Sequence, residues 1–218
     1  MLSRYYTVKK EASEHEINIQ KSRFIAHIKR AETDAEAQEF IQTLKKKYWD
    51  ASHNCSAYII GEHDQIQKAN DDGEPSGTAG VPILEVLKKK KLKDTVVVIT
   101  RYFGGIKLGA GGLIRAYGKA TSEGLNTGGI VERRLVQIVH VTVDYTWIGK
   151  IEKELRASPY IIKEIHYLEK VVFDVYVEEE KVQEFMNWVV DLTNANCNFI
   201  KGENVYLEEK INFSKDLS

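Results

Sequence analysis

The chain has 218 residues, of which 43% are hydrophobic and 29% charged; this is the composition of a folded protein, not a disordered one, and the length suits two small cores better than one average domain. The net charge of −1 excludes a strongly basic nucleic-acid module, yet residues 1–134 carry 22 Lys/Arg against 17 Asp/Glu while residues 135–218 carry nine against 15. No run of about 18 apolar residues occurs and none follows the first basic residues, which argues against membrane spanning and secretion; Cys55 and Cys197 stand far apart without metal-ligand spacing, so a reducing cytoplasm is the expected location.

In chain order, residues 4–9, 15–20 and 22–30 read as strands by their period-two apolar spacing. A helix is predicted from a cap at Thr33 or Asp34, with Ala37, Phe40, Ile41 and Leu44 on one face and Lys45, Lys46 and Lys47 at its negative end. Cys55–Ile60 reads as a strand ended by Gly61, and Gln65–Ala69 as a further extended stretch. Asn70–Gly80 is dense in turn formers and must be a loop. A helix follows over Val81–Leu87 with Pro82 in its first turn, closed by Lys88–Lys91. The β-branched run Thr95–Thr100 suits a central strand buried on both faces. A helix is predicted over Leu113–Leu125, stopped at Asn126–Gly129. The remainder reads as strand 131–144, helix 146–157, strands 160–167 and 170–178, helix 179–193 and strand 198–212, a βαββαβ order of the ferredoxin-like kind. The expected class is therefore α+β, with domains at 1–132 and 133–218.

Three segments carry chemistry. The first is Arg101–Lys119, which joins the central strand to a helix through glycines that permit positive φ and close backbone approach. Exposed amides at a helix start attract anions, Arg101, Lys107, Arg115 and Lys119 add positive charge, and Tyr102 and Phe103 beside Gly104 and Gly105 offer flat surfaces for stacking. No Gly-Lys-Ser/Thr ending is present, and Ile114 stands where a dinucleotide fingerprint from Gly109 needs a small residue, so neither nucleotide motif is met. The alternative is that these glycines only allow tight strand-to-helix packing.

The second segment, Asp71–Thr78, gathers Asp71, Asp72, Glu74, Ser76 and Thr78. Such a set can hold Mg²⁺ in an enzyme or nucleotide binder, can cap turns and the next helix, or can supply Glu74 or Asp72 as ion-pair partners for Arg101 or Lys107. The third is His53-Asn54-Cys55, where a Cys55/His53 nucleophile pair competes with an inert core cysteine. His27 and His63 are weaker candidates, and Lys88–Lys91 reads as a solvated helix end, with electrostatic steering as its minor alternative.

Lys21-Ser22-Arg23-Phe24, Asp50-Ala51 with His53-Asn54-Cys55, Asp71–Gly80 and Arg101–Gly109 together resemble the IMPACT/YigZ (YvyE-like) family. The resemblance implies a first domain like the second domain of small-subunit ribosomal protein five and domain IV of elongation factor G, and a second like domain V of that factor. It implies RNA, the ribosome or a translation-associated protein as partner. No cofactor, metal or membrane is expected from the residues, a small-molecule ligand stays open, and Lys21, Arg23, His53 and Asn54 are expected to support the site. Eukaryotic members regulate translation by competing for a protein partner of an amino-acid-sensing kinase through an additional N-terminal domain, a mechanism that does not carry over whole.

Overall fold

The computed structural model describes residues 1–211. Its strands are β1 (Arg4–Val8), β2 (Ser13–Ile19), β3 (Ser22–Arg30), β4 (His53–Ile60), β5 (Ile66–Asn70), β6 (Thr95–Tyr102), β7 (Ile130–Val143), β8 (Ile161–Tyr167), β9 (Val171–Glu178) and β10 (Cys197–Ile211). Its α-helices are α1 (Asp34–Lys47), α2 (Gly80–Lys89), α3 (Gly109–Gly128), α4 (Ile148–Ala157) and α5 (Val182–Thr193). The fold is α+β. Among the described residues two compact units are present, one of Tyr5–Glu132 with Glu209–Ile211, the other of Met1–Arg4 with Arg133–Glu208.

In the first unit five strands form a sheet in the order β2-β3-β6-β4-β5. Every neighbouring pair is antiparallel. The β-branched run is the middle strand, as its sequence predicts, because residues of a strand alternate between faces and both faces here are covered. Val97 and Ile99 join Ile83, Leu113, Ala116 and Tyr117 of α2 and α3 in one core. Val96 and Val98 join Ala37, Ile41 and Leu44 of α1 in another. Each fully buried aliphatic side chain contributes about 1.5–3 kcal/mol by leaving water.

Helix α1 starts where its cap lies, at Thr33, whose hydroxyl accepts from Glu36 N at 3.2 Å. It ends with Lys45, Lys46 and Lys47 in the last turn, so both ends oppose the helix dipole correctly. Helix α3 departs from the sequence reading. It begins at Gly109, four residues before the expected Leu113, because packing of Leu113, Ala116, Tyr117 and Ala120 on the sheet carries the helix back through residues that locally disfavour it.

In the second unit the sheet runs β7-β9-β8, with β10 also on β7. This strand order completes the ferredoxin-like arrangement read from the βαββαβ sequence. Val139, Val141, Phe173 and Val175 pack with Ile151 and Leu155 of α4 and Phe185 and Val189 of α5. The expected strand 198–212 is β10, its last residue lying outside the described residues, and the expected helix 179–193 opens with a 3₁₀ turn over Glu179–Lys181. No helix among the described residues is long and apolar enough to cross a membrane.

Candidate functional site

The pairing register brings the sequence motifs to one end of the first unit's sheet. Arg101 on β6 stands opposite Phe24 on β3 and His53 on β4. The Asp71–Gly80 loop leaves β5, which pairs with β4 up to Asn70 opposite Ser56, and it therefore emerges beside the same strand ends.

Arg101 and Glu74 are both buried, and Arg101 Nη1 lies 2.6 Å from Glu74 Oε1. The hydroxyl of Tyr117 donates to the same oxygen at 2.7 Å. Arg101 Nη2 donates to Ser22 Oγ at 3.3 Å, and Gly104 N reaches that hydroxyl at 3.3 Å. The guanidinium sits 5.3 Å from the Phe24 ring centre and 5.6 Å from that of Phe103. Four separate stretches of sequence are thus tied to one charged pair. Arg101, expected among the phosphate contacts, is in place of that the buried hub of the site, since its charge is already matched by Glu74.

The acidic loop is held by its own carboxylates. Asp71 accepts from Gly77 N at 2.8 Å, Ala79 N at 3.0 Å and Gly80 N at 2.8 Å. It thereby caps α2, whose own cap residue Ala79 offers no side-chain bond. Burial alone would raise the Asp71 pKa, but the three amides outweigh it and hold the carboxyl below its usual range. Asp72 accepts from Asn54 N at 2.6 Å and pairs with Lys45 at 2.5 Å. The three carboxylates point to different protein donors, and Asp71, Asp72 and Glu74 form no metal-ligating group among the described residues. These residues do not form a three-carboxylate cage for Mg²⁺. Thr78 spends its hydroxyl on Pro75 O at 2.6 Å, while Ser76 is exposed.

His53 and Cys55 do not act together. His53 Nδ1 donates to Asp72 O at 2.9 Å, and its Nε2 faces Glu74 Oε2 at 3.8 Å. The Cys55 sulfur is fully buried, 3.0 Å from Asp71 O and 3.3 Å from Tyr117 Oη. Burial pushes the thiol up to about 12, so the nucleophile reading gives way to the core cysteine. Asn54 is a buried brace, accepting from Thr100 Oγ1 at 2.7 Å and donating to Tyr48 O at 3.1 Å.

Around this buried centre lies an exposed rim. Tyr102 donates its hydroxyl to Asp50 at 3.0 Å under the Arg23 guanidinium, 5.4 Å from the ring centre. Arg23 is also paired with Glu16 at 2.7 Å. Phe103, Ile106 and Ile114 are exposed apolar side chains. Lys21, Lys107, Arg115 and Lys119 are exposed cations, of which Lys119 lies 3.7 Å from Glu123. Lys107 and Arg115 form no ion pair among the described residues. Helix α3 starts at Gly109 without a side-chain cap, which leaves its first amides free of protein side chains.

The glycines divide by purpose. A Cβ on Gly104 would fall 2.0 Å from Lys21 O, so this glycine permits backbone contact. Gly105 and Gly109 adopt φ of +85° and +69°, which only glycine takes without strain. Gly118 has nothing within 4 Å of its virtual Cβ, and Gly111 meets only the Arg115 side chain at 3.6 Å. Neither is demanded by packing or by backbone angle.

Two features escape sequence reasoning. Tyr117 sits in the apolar stripe of α3 and reads as core; its hydroxyl alone hints at a buried polar partner. Lys89, Lys90 and Lys91 read as a helix end, yet they line a cleft of about 650 Å³ with Tyr6, Lys119 and Gly118.

Residues 20–125 match the model of the Impact N-terminal domain, and residues 141–196 match a domain of unknown function, DUF1949. The chain is 64% identical over 216 residues to the IMPACT family member YvyE of Bacillus subtilis, a match covering 99% of each. The chain belongs to the IMPACT family. It is also 31% identical to the IMPACT family member YigZ of Escherichia coli, over 84% of this chain and 90% of that one. A crystal structure of a hypothetical protein superposes with a TM-score of 0.59 at 27% identity, covering 93% of this IMPACT family chain and 99% of the other.

Proposed function

We propose that this IMPACT family protein is a non-catalytic binding protein acting in translation or its regulation, and that it grips RNA phosphates, free or within the ribosome, along the exposed face of α3. The observation that carries the reading is the presence on that helix of Gly118, with open space beside it, and of Gly111, which faces only the movable Arg115 side chain. Glycine inside a helix costs about 1 kcal/mol relative to alanine. A glycine that neither packing nor φ requires is explained by a ligand that approaches the backbone.

The surroundings support the same ligand class. Lys107 and Arg115 are exposed and lack carboxylate partners among the described residues. Lys89, Lys90, Lys91 and Lys119 line the adjoining cleft at Gly118. Phe103 offers an exposed ring on which a base can stack. The buried Arg101–Glu74 pair takes the part of a scaffold that holds this rim in shape.

The test is association with ribosomes and with single-stranded and duplex RNA at low salt, for the parent and for Lys107→Ala combined with Arg115→Ala. Binding should weaken linearly in log affinity against log salt, and the double variant should bind less tightly with a shallower slope. Absence of association at low salt, or an unchanged slope in the variant, overturns the reading. Retention of one specific protein after nuclease treatment would replace the RNA by a protein partner.

A further inference from the structure

The second unit carries a cluster of chemistry-bearing side chains unrelated to the rim of α3. On β9, Val171, Phe173, Val175 and Val177 enter the helix-covered core, so Asp174 lies on the opposite face of the sheet. The register sets Asp174 between two neighbours, with His140 of β7 paired to it on one side and Glu164 of β8 on the other. A bulge between Ile162 and Glu164 shifts the strand by a residue. His166 follows two positions later on the same face as Glu164.

These side chains converge. His166 Nε2 lies 2.9 Å from Asp174 Oδ2 and 3.9 Å from Glu164 Oε2. The ligand atoms of Glu164, His166 and Asp174 all fall within 4.8 Å of one another. His140 Nδ1 lies 2.6 Å from the other carboxylate oxygen, Asp174 Oδ1. Gly202 of β10 leaves room for that imidazole, since a Cβ there would fall 2.6 Å from His140 Nε2.

We infer that Glu164, His166 and Asp174 form a binding site for one divalent transition-metal ion of the zinc class, with His140 bracing the Asp174 carboxylate from behind. Zinc bonds to imidazole nitrogen and carboxylate oxygen are about 2.0–2.2 Å long, so ligand atoms around a tetrahedral ion stand roughly 3.4 Å apart. His166 Nε2 lies 2.9 and 3.9 Å from the two carboxylates, separations that bracket that spacing; all three ligand atoms lie within 4.8 Å of one another, so side-chain rotation draws them together around the ion. One imidazole with two carboxylates is a donor set for zinc, cobalt or manganese rather than for calcium or magnesium, which take oxygen alone. His140 supplies the outer hydrogen bond that fixes a ligating carboxylate. Asp174 is nearly closed to solvent while His166 and Glu164 are partly open, so the ion enters from the β8 side and keeps a position there for water or for a group of a partner.

The experiment uses the untagged full chain, freed of metal by chelator and titrated with Zn²⁺ by calorimetry and with Co²⁺ by visible absorption. One equivalent of Zn²⁺ should bind, Co²⁺ should develop the intense visible bands of a low-coordinate site, and Zn²⁺ should raise the melting temperature. His166→Ala and Glu164→Gln, both at partly exposed positions and so expected to fold, should each lose at least tenfold in affinity. His140→Gln should weaken binding by about 10–100-fold, and His63→Gln, at an exposed position of the other unit, should leave it unchanged. No binding, or stoichiometric binding that survives His166→Ala with Glu164→Gln, overturns the inference. Circular dichroism of each variant separates loss of the site from loss of the fold.

Discussion

The Arg101 guanidinium stands 2.6 Å from the Glu74 carboxylate with both side chains at least nine-tenths buried. Two charges taken out of water are stable there only while each compensates the other. Removing one member of such a pair costs about 3–5 kcal/mol, because the survivor is left buried and unmatched. Glu74→Leu should do so and also leave the Tyr117 O–H without its acceptor, and Arg101→Met should cost a similar amount. Arg101→Met with Glu74→Leu should cost clearly less than the sum of the single changes. Urea denaturation of the four proteins checks this, and additive losses would show the pair to be uncoupled.

Cys55 should be chemically silent in the folded protein. With its thiol pushed up to about 12, the thiolate fraction at pH 8 is on the order of 10⁻⁴, and the thiolate is the reactive form. Cys197 is partly exposed and should take up an alkylating reagent first, Cys55 only on unfolding. Mass spectrometry of the labelled peptides at graded denaturant decides the order.

Stability should fall as the solution is acidified from pH 6.5 towards pH 4, and His27 is the reason. Burial lowers its pKa from 6.5 to about 4, against the opposing pull of Glu14, whose carboxylate lies 3.3 Å away. A depressed pKa means that the folded state binds the proton less readily than the unfolded one. The neutral ring's stability is therefore complete above pH 6.5 and is lost as pH falls through that window, by about 3 kcal/mol at most. Asp71, whose pKa is also lowered, loses its contribution only below the ordinary carboxylate range. Urea midpoints at pH 7.5, 6 and 5 should fall for the parent and fall less for His27→Phe.

Glycines of the Arg101–Lys119 segment should respond in opposite directions to alanine. Gly104→Ala sets a Cβ against the Lys21 carbonyl and should destabilise by several kcal/mol or prevent folding, because backbone cannot yield as a side chain does. Gly118→Ala and Gly111→Ala meet open space or a movable Arg115, and each should stabilise by about 0.5–1 kcal/mol. Under the proposed function the same two changes should weaken RNA binding while raising the melting temperature, a combination that a purely structural role does not produce.

Much of the fold was legible locally. The valine-rich run over Thr95–Thr100 could only be a strand with two covered faces, and it is the central strand of its sheet. Thr33 as a cap and three lysines at the other end framed α1 within a residue. The start of α3 was not legible, since Gly109, Gly111 and Gly112 argue against a helix that tertiary packing nonetheless extends through them.

The sequence by itself determined the elements, the α+β class and the family motifs, because apolar period, capping residues and turn formers act over a few residues and are written consecutively. Which motif residues are buried and which are free was decided by tertiary structure alone. Arg101 and Lys107 look equivalent in the chain, yet one meets Glu74 from 27 positions away and the other meets solvent. Only the antiparallel register of β3, β6 and β4 brings those distant groups together, and no local pattern encodes a pairing at that range.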